Sequence, residues 1–279
     1  MDPRPWRQVN VAFPDWAEAE HTAVTHLAPL LAAAEAERLL TAWFFIRKTP
    51  CWRVRYVPSS DRAPAHLRDH LNVLIRQGHI DAATEAIYEP ELYAFGGAKG
   101  MACAHDLFHL DSRHLLAYLA RSPHTERRRE LSILLCTILL RSAGLDWYEQ
   151  GDVWARVADH RGLSSPIPPE RRHSLEAGLR RLMSVDVTPL LRDGAPLTFA
   201  TDWSAAFAAA GSELADLTAE GSLHRGLRAI LAHHIIFAWN RLGMPYTSQA
   251  VLAHTAKHIV FGSDFTATPD AEQTRSETP

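Results

Sequence analysis

The order of strands and helices in the first third of the chain constrains the fold more than any other feature. Residues 6–13 (WRQVNVAF) have the pattern of a β-strand, and residues 16–40 follow as a helix rich in Ala, Glu and Leu, with Asp15 as its N-cap. The segments WFFIRK and WRVRYV then form two predicted strands around a hairpin-like turn at Pro50. This pairing of neighbouring strands predicts a sheet that begins near the N-terminus.

A second helix and a fourth strand complete the order. Residues 61–77 have an amphipathic pattern that ends at Gly78, and residues 80–89 are the candidate for the fourth strand. The order β-α-β-β-α-β is that of the split βαβ arrangement. The sequence therefore predicts an α+β fold with a ferredoxin-like antiparallel sheet in the N-terminal third.

The rest of the chain is predicted to be mostly helical. A glycine-rich loop (FGGAKG) is followed by helical patterns from about residue 102 onward, and neither a repeat nor a strong internal linker divides them. We therefore expect residues 1–262 to form a single domain. The tail, residues 263–279, is polar and lacks aliphatic anchors, so we expect it to be disordered.

Composition excludes several classes of protein. The net charge of −3, with 16 histidines counted as neutral, is not that of a polycation that grips nucleic acid. The longest apolar runs, such as LSILLCTILL, are about half of the ~20 residues that a membrane span requires. Three widely spaced cysteines and a start without an apolar signal segment predict reduced thiols and a cytoplasmic location.

Arginines on the predicted hairpin are the first candidates for a binding site. On the second strand Arg53 and Arg55 share one face, where they are close enough to grip one carboxylate or phosphate, while Trp52, Val54 and Tyr56 share the other. Arg47 lies on the adjacent strand. The alternative is a solvated sheet face with cross-strand ion pairs.

Acidic residues and histidines follow around the glycine-rich loop. Glu89 and Glu91 precede it, and either carboxylate could serve as a base or position the arginines. His105 and His109 are four residues apart, as in a helical metal pair, but no third ligand accompanies them. Helix histidines with ordinary hydrogen-bond partners are therefore the alternative, and we predict no metal.

Two further groups of polar residues lie in the helical part. Charged residues alternate with Trp147 and Trp154 in the segment AGLDWYEQGDVWARVADHR, which predicts an ion-pair network that either docks helices or takes part in catalysis. His233 and His234 precede an apolar run that ends at Arg241. A histidine there is either a hydrogen-bonded core residue or a general acid.

Common cofactor and nucleophile motifs do not occur in the chain. It contains no P-loop, dinucleotide fingerprint, GxSxG motif or Cys/His metal spacing. The residues by themselves therefore favour an anion-binding, acid/base site that uses no cofactor.

Longer segments resemble a known family. WFFIRKTPCWRVRY, YEPELYAFGG, AHDLFHLDSR, RRELSILLCTILLRSAGLDWYEQGDVWARVADHR and HHIIFAWNRLG resemble the small stand-alone thiopeptide-type bacteriocin biosynthesis proteins. These are related to the C-terminal elimination domain of lantibiotic dehydratases. The resemblance covers about residues 6–262.

The resemblance implies one of two activities on a ribosomal precursor peptide with a leader. One branch of the family eliminates glutamate from glutamylated Ser or Thr, which gives dehydroalanine or dehydrobutyrine. The other joins two dehydroalanines in a formal [4+2] cycloaddition to form a pyridine-type ring. A third alternative is a non-catalytic partner that binds the precursor peptide, for example along an exposed strand edge.

The resemblance also implies roles for particular residues. Arg53 or Arg55, together with His234, resemble the catalytic arginines and histidine of the elimination domain, and Glu91 is a further catalytic candidate. Related chains often carry another histidine where this one has Ala238. The predicted substrate-binding residues are Arg47, His233 (the alternative to His234) and Arg241.

The implied partners are the precursor peptide and a separate, tRNA-dependent glutamylating dehydratase subunit. We expect no direct contact with nucleic acid and none with a membrane. Elimination requires no cofactor, so none is predicted. The sequence leaves open whether the chain forms a homodimer.

Overall fold

A computed structural model of the protein describes residues 4–121 and 127–262. Its four strands are Arg7–Ala12 (β1), Leu40–Lys48 (β2), Cys51–Pro58 (β3) and Ala82–Ala86 (β4). They form one sheet in the order β2-β3-β1-β4, with all neighbours antiparallel. This is the ferredoxin-like order, so the predicted α+β fold with its β2–β3 hairpin is confirmed. The expected tail at residues 263–279 lies outside the described residues.

The helix predicted for residues 16–40 is shorter and interrupted. It consists of Ala19–Thr22 (α1), a π-helical turn at Ala23–Leu27 and Ala28–Ala36 (α2). The Asp15 carboxylate accepts a hydrogen bond from the backbone N–H of Ala17 (2.8 Å), so Asp15 forms a turn before the helix instead of capping it.

The predicted fourth strand is also shorter than expected. β4 covers only Ala82–Ala86 of the predicted residues 80–89. Its partner β1 supplies pairing positions only from Gln8 to Ala12, and the chain leaves the sheet after Ala86. Strand length here is set by the partner strand, which a local pattern does not report.

The outer edge of β2 is covered by a helix. The backbone N–H of Trp43 lies 3.1 Å from His109 Nδ1, and that of Phe45 donates to Ser112 Oγ at 3.3 Å. Both partners belong to the helix Ala98–Arg121 (α4), which runs along the strand. Since an uncovered strand edge invites pairing with other chains, this contact protects one side of the sheet.

The chain after the sheet is mostly helical, as predicted. Together with Arg62–Arg76 (α3) and α4, the remaining α-helices are Arg128–Ser142 (α5), Trp147–His160 (α6), Pro169–Ser184 (α7), Thr201–Ala219 (α8), Leu227–Leu242 (α9) and Tyr246–Phe261 (α10). Helix α8 packs on α4 and α5, and α6 packs on α9 and α10. Within the described residues, none of these helices combines the length and the apolar character needed to cross a membrane.

Candidate active site

Arg55 is the buried charge around which the candidate site is built. Strand register places it between Gln8 on β1 and Phe44 on β2, and only 3 % of the residue is exposed. Its Nε donates to Gln8 Oε1 at 2.9 Å, and its guanidinium carbon lies 4.1 Å from the centre of the Tyr88 ring. A charge buried in this way needs an anion nearby.

Glu91 provides that anion. Its Oε1 lies 3.8 Å from Arg55 Nη2, and its side chain is 35 % exposed. The Tyr88 hydroxyl lies 3.5 Å from Glu91 Oε2. The structure thus brings together two of the predicted catalytic residues and leaves the carboxylate within reach of solvent.

Tyr88 connects this pair to a buried histidine. Its hydroxyl lies 2.8 Å from His105 Nε2, and the His105 ring packs on Trp6 with 4.5 Å between ring centres. His105 was considered above as half of a metal pair with His109, but its Nε2 faces Tyr88 and the Nδ1 of His109 faces the Trp43 backbone. Among the residues described here, no three potential metal ligands lie together. The hydrogen-bonded alternative is therefore the arrangement found.

Arg53 lies two residues from Arg55 on the same face of β3. Register places it between Asn10 and Ile46. Its side chain is half-buried, and nothing in residues 4–121 and 127–262 accepts a hydrogen bond from it or forms an ion pair with it. Arg53 is therefore a cation beside the Arg55–Glu91 pair that is available to an external anion.

His234 is enclosed by aromatic rings. It is 1 % exposed, and the centres of the Phe95 and Phe108 rings lie 5.0 and 6.1 Å from its own. Neither of its ring nitrogens has a hydrogen-bond partner among the described residues. Burial, with the nearby Arg241 charge, lowers the pKa of His234 to about 3, so the ring is neutral at physiological pH.

His233 is more accessible. It is half-buried, its Nδ1 lies 2.9 Å from the Ala229 carbonyl oxygen, and its ring meets that of His160 edge-on at 4.9 Å. Burial is the main cause that lowers the pKa of His233, and the positive charge of Arg225 adds to it.

The turn after Glu91 links the Arg55–Glu91 pair to the aromatic rings around His234. The backbone N–H of Phe95 donates to the Glu91 carbonyl at 3.2 Å, so Glu91 and Phe95 stand one turn apart. Glycines allow the chain to pass closely here. A Cβ on Gly96 would lie 2.4 Å from Ile230 Cδ1, and one on Gly100 would lie 1.9 Å from the Phe95 carbonyl oxygen. The FGG signal in the sequence therefore has a steric cause.

The structure places Arg47 and Arg241 apart from this cluster. Arg47 pairs in register with Trp52, so it lies on the face of the sheet opposite to Arg53 and Arg55. Its Nε donates to the backbone oxygen of Arg241 at 2.7 Å. The Arg241 side chain is fully buried and donates from Nε to Asp111 Oδ2 at 2.6 Å, so it contacts no open surface.

The ion-pair network predicted around Trp147 and Trp154 docks helices. Arg228 on α9 binds Glu149 (2.6 Å) and Asp152 (2.5 Å) on α6, and all three side chains are more than one third exposed. Glu149 also completes a capping box with Asp146 at the start of α6. Of the two alternatives left open above, the structure therefore supports docking.

Sequence reasoning did not single out Tyr88, and it considered His105 only as a metal ligand or a hydrogen-bonded helix histidine. Tyr88 lies in the predicted fourth strand, where an aromatic residue is expected to take part in ordinary strand packing. Its position directly before Glu-Pro-Glu was the only signal in the sequence. The hydrogen bond to His105 joins residues 17 positions apart and follows from packing of α4 beside the sheet.

Comparison with known proteins finds one family and several solved structures with the same fold. The family described as "Lantibiotic biosynthesis dehydratase C-term" matches residues 6–260. No curated protein has a sequence that matches the chain.

Three solved structures share the fold. The tRNA-dependent lantibiotic dehydratase MibB from Microbispora sp. 107891 is 21 % identical with a TM-score of 0.63, and the match covers 92 % of this chain and 28 % of MibB. TsrL is 16 % identical (TM-score 0.61, 91 % of this chain and 98 % of TsrL). The pyridine synthase TbtD from thiomuracin biosynthesis is 12 % identical (TM-score 0.66, 92 % of this chain and 97 % of TbtD). At these identities the likeness establishes the fold alone.

Proposed function

Because the chain belongs to the lantibiotic dehydratase C-terminal family, whose members modify ribosomally made peptides, we propose that it eliminates glutamate from glutamylated Ser or Thr side chains of a precursor peptide. The products are dehydroalanine and dehydrobutyrine. The observation that carries this proposal is Arg53, a half-buried cation without an anionic partner in the described part of the chain, beside the Arg55–Glu91 pair.

The substrate supplies the anion that the site lacks. A glutamyl ester keeps a free side-chain carboxylate, and a guanidinium binds a carboxylate with short, charge-assisted hydrogen bonds. Arg53 would hold this group, while Arg55, already bound by Gln8 and Glu91, would keep the Glu91 carboxylate in place. Glu20 pairs with Arg47 on the other face of the sheet, so it does not compete with the substrate carboxylate for Arg53.

The elimination needs one base and one anion-stabilising group. Glu91 would remove the α-proton of the modified residue, the electron pair would form the Cα–Cβ double bond, and the Cβ–O bond would break to release glutamate as a carboxylate. The Tyr88–His105 pair stands beside Glu91 and could take up or return the proton. No oxidation state changes overall, so the step requires no redox cofactor.

The family resemblance implies a catalytic histidine, and His233 suits this role better than His234. His234 is neutral, enclosed and 1 % exposed, so a substrate would have to open the core to reach it. His233 is half-buried, and its Nδ1 faces a carbonyl, which leaves Nε2 for a ligand. We assign Arg241 a positioning role, because its side chain holds Asp111 inside the core.

Formation of a pyridine-type ring is the second candidate, because the pyridine synthase TbtD shares the fold. The match covers 97 % of TbtD, whereas the chain spans only 28 % of the length of MibB. For elimination, the precursor peptide has to be glutamylated first, and the proposal includes a separate tRNA-dependent subunit that does this.

One experiment separates the two candidates. The purified protein is incubated with a chemically glutamylated precursor peptide without tRNA, and in parallel with a precursor that already contains dehydroalanines. Mass spectrometry should show loss of glutamate from the first peptide and no change in the second. An intact glutamylated peptide together with a ring formed in the second would replace elimination by cyclisation. No change in either would leave precursor binding without catalysis.

A further inference from the structure

A chain of side-chain hydrogen bonds runs along the sheet from Arg55 to Asn10. Arg55 Nε donates to Gln8 Oε1 at 2.9 Å, and Gln8 Nε2 donates to Asn10 Oδ1 at 2.9 Å. Gln8 is 6 % exposed and Asn10 is half-buried. The chain therefore leads from a buried guanidinium to a residue that a ligand can reach.

The chemistry of Arg55 fixes the orientation of both amides. A guanidinium nitrogen can only donate, so the Gln8 atom that faces it has to be the amide oxygen. The Gln8 NH2 group is then the end that faces Asn10. Because this group also can only donate, the Asn10 atom that receives it is Oδ1. The NH2 group of Asn10 is left as the free end of the chain.

This free NH2 group lies next to Arg53. Strand register pairs Asn10 on β1 directly with Arg53 on β3, so the two side chains share one face of the sheet, with about 4.5–5.5 Å between their Cβ atoms. Neither the Asn10 NH2 group nor the Arg53 guanidinium has an acceptor within residues 4–121 and 127–262. Two neighbouring donor groups on one face of the sheet thus lack a partner.

Arg55 adds a third donor without an acceptor. Its Nε donates to Gln8 and its Nη2 lies 3.8 Å from Glu91 Oε1, but its Nη1 is buried and has no partner in the described structure. Arg53 and Arg55 are two residues apart on β3 and lie on the same face. Because an unsatisfied buried donor is unfavourable, a ligand that supplies acceptors here would be stabilised.

The unpaired groups on this face are all donors. Asn10 presents N–H groups because its oxygen receives the Gln8 amide, and a guanidinium never accepts a hydrogen bond. A carboxylate, which only accepts, is therefore complementary to Asn10 and Arg53. A carboxamide is not, because its own NH2 group would meet another donor.

We propose that Asn10 is a specificity-determining residue, which donates from Nδ2 to one oxygen of the substrate carboxylate while Arg53 binds the other. This role rests on the proposed function in one respect, namely that the carboxylate is the free side-chain group of the glutamyl ester. Gln8 is a positioning residue, since its amide holds Asn10 by the oxygen and turns the NH2 group outward.

The test uses glutamic acid α-amide and glutamine α-amide, two probes that differ only in a side-chain carboxylate or carboxamide. The α-amide takes the place of the ester, so neither probe can be eliminated. Isothermal titration calorimetry with the whole protein should show that the carboxylate probe binds at least about tenfold more tightly. Equal binding of the two probes, or no binding of the carboxylate probe, would overturn the role of Asn10.

Two substitutions of Asn10 separate its donor from its structural contact. Asn10→Asp keeps an oxygen for Gln8 Nε2 but places an anion beside Arg53, so it should weaken binding of the carboxylate probe about 100-fold. Asn10→Ala should weaken it about tenfold, and both variants should lose much of the preference over the carboxamide. Unaltered binding by a folded Asn10→Asp protein would refute the contact.

Thr84 provides a matched control on the other side of Asn10. It is exposed and pairs with Asn10 in register on β4, and its hydroxyl has no partner in the described structure. Thr84→Val should bind the carboxylate probe as the wild-type protein does. A loss equal to that of Asn10→Ala would place the carboxylate between Asn10 and Thr84, away from Arg53, and so contradict the proposed pair.

Elimination assays distinguish the role of Asn10 from the proposed function. Asn10→Asp should raise KM for the glutamylated peptide more than it lowers kcat, because the carboxylate lies away from the bonds that break. A protein that eliminates no glutamate, but loses binding of the carboxylate probe in Asn10→Asp, would retain the carboxylate site and lose the proposed function. Elimination with the same KM in Asn10→Asp and wild type would have the opposite meaning.

Discussion

Arg53 and Arg55 are two residues apart in sequence and differ in almost every physical respect. Arg55 is buried and bound by Gln8 and Glu91, whereas Arg53 is half-buried with no acceptor in the described structure. Removing a bound, buried arginine leaves its partners unsatisfied, but removing an unpartnered one does not. The two residues therefore separate effects on catalysis from effects on stability.

Arg53→Gln should reduce kcat/KM for glutamate elimination by about 10- to 150-fold, which corresponds to about 1.5–3 kcal/mol for a charge-assisted contact. Its melting temperature should stay within about 1–2 °C of wild type, because no contact in the described structure is lost. The control is Arg55→Gln, which should lower both activity and stability. Full activity of a folded Arg53→Gln protein would remove Arg53 from the site.

His234 leads to a prediction about pH. Its pKa of about 3 in the folded protein is below its ordinary value of 6.5, so the unfolded chain binds the proton first as pH falls. Protonation of the unfolded chain at this residue therefore has no effect on stability above pH 6.5 and lowers the free energy of unfolding between pH 6.5 and 3, by about 1.4 kcal/mol per pH unit. Urea unfolding of wild type and His234→Leu between pH 7.5 and 5 measures this.

His234→Leu should be more stable than wild type by about 1–3 kcal/mol at pH 7, because it removes two buried nitrogens without partners among the described residues. Its advantage should grow as pH falls. Elimination activity should persist, since His233 remains. A variant that is stable but inactive would return the catalytic role to His234.

At the scale of elements, the glycine-rich start of α4 sets the position of Glu91. The turn from Glu91 to Phe95 packs directly on Gly100, where a Cβ would meet the Phe95 carbonyl oxygen at 1.9 Å. A side chain here can be accommodated only if the turn moves. Since Glu91 begins that turn, its distance to Arg55 would change with it.

Gly100→Ala should therefore destabilise the protein by about 1–3 kcal/mol through overpacking and reduce elimination. Gly178 on α7 offers a matched control, because nothing lies within 4 Å of its Cβ position. Gly178→Ala should stabilise the protein by about 0.5–1 kcal/mol, as expected for an exposed helix interior. Thermal unfolding of both variants tests the pair; equal shifts of the same sign would contradict the steric explanation.

At the scale of the whole molecule, one buried ion pair joins three helices. Asp111 on α4 accepts from Arg241 Nε on α9 (2.6 Å) and from Trp203 Nε1 on α8 (2.8 Å), and both charged side chains are at most 4 % exposed. The Arg241 backbone oxygen in turn accepts from Arg47 on the sheet. These contacts connect the helical part to the hairpin that carries Arg53 and Arg55.

Asp111→Ala should cost about 3–5 kcal/mol, because it leaves the Arg241 charge buried and unpaired. Asp152→Ala, which breaks a partly exposed pair with Arg228, should cost at most about 1 kcal/mol. Urea denaturation of the two variants compares them. Similar losses would mean that Arg241 finds another partner after a local rearrangement.

The sequence by itself determined the elements of this protein, their order and the family. Strand and helix periodicities are local properties, so the split βαβ order, the hairpin and the helical remainder could all be derived from them. The same locality explains the error in the length of β4, because the end of β4 depends on where β1 ends. The late start of the helix predicted for residues 16–40 follows from the turn that Asp15 forms with Ala17.

Only the tertiary structure decided which of the candidate residues share a site. Strand register places Arg47 opposite Trp52 and so moves it to the other face from Arg53 and Arg55. Packing of α4 beside the sheet brings His105 to Tyr88, and enclosure by Phe95 and Phe108 makes His234 a core residue. Each of these outcomes depends on contacts between residues far apart in the chain, and the free energy of burying or exposing a charge is decided by those contacts.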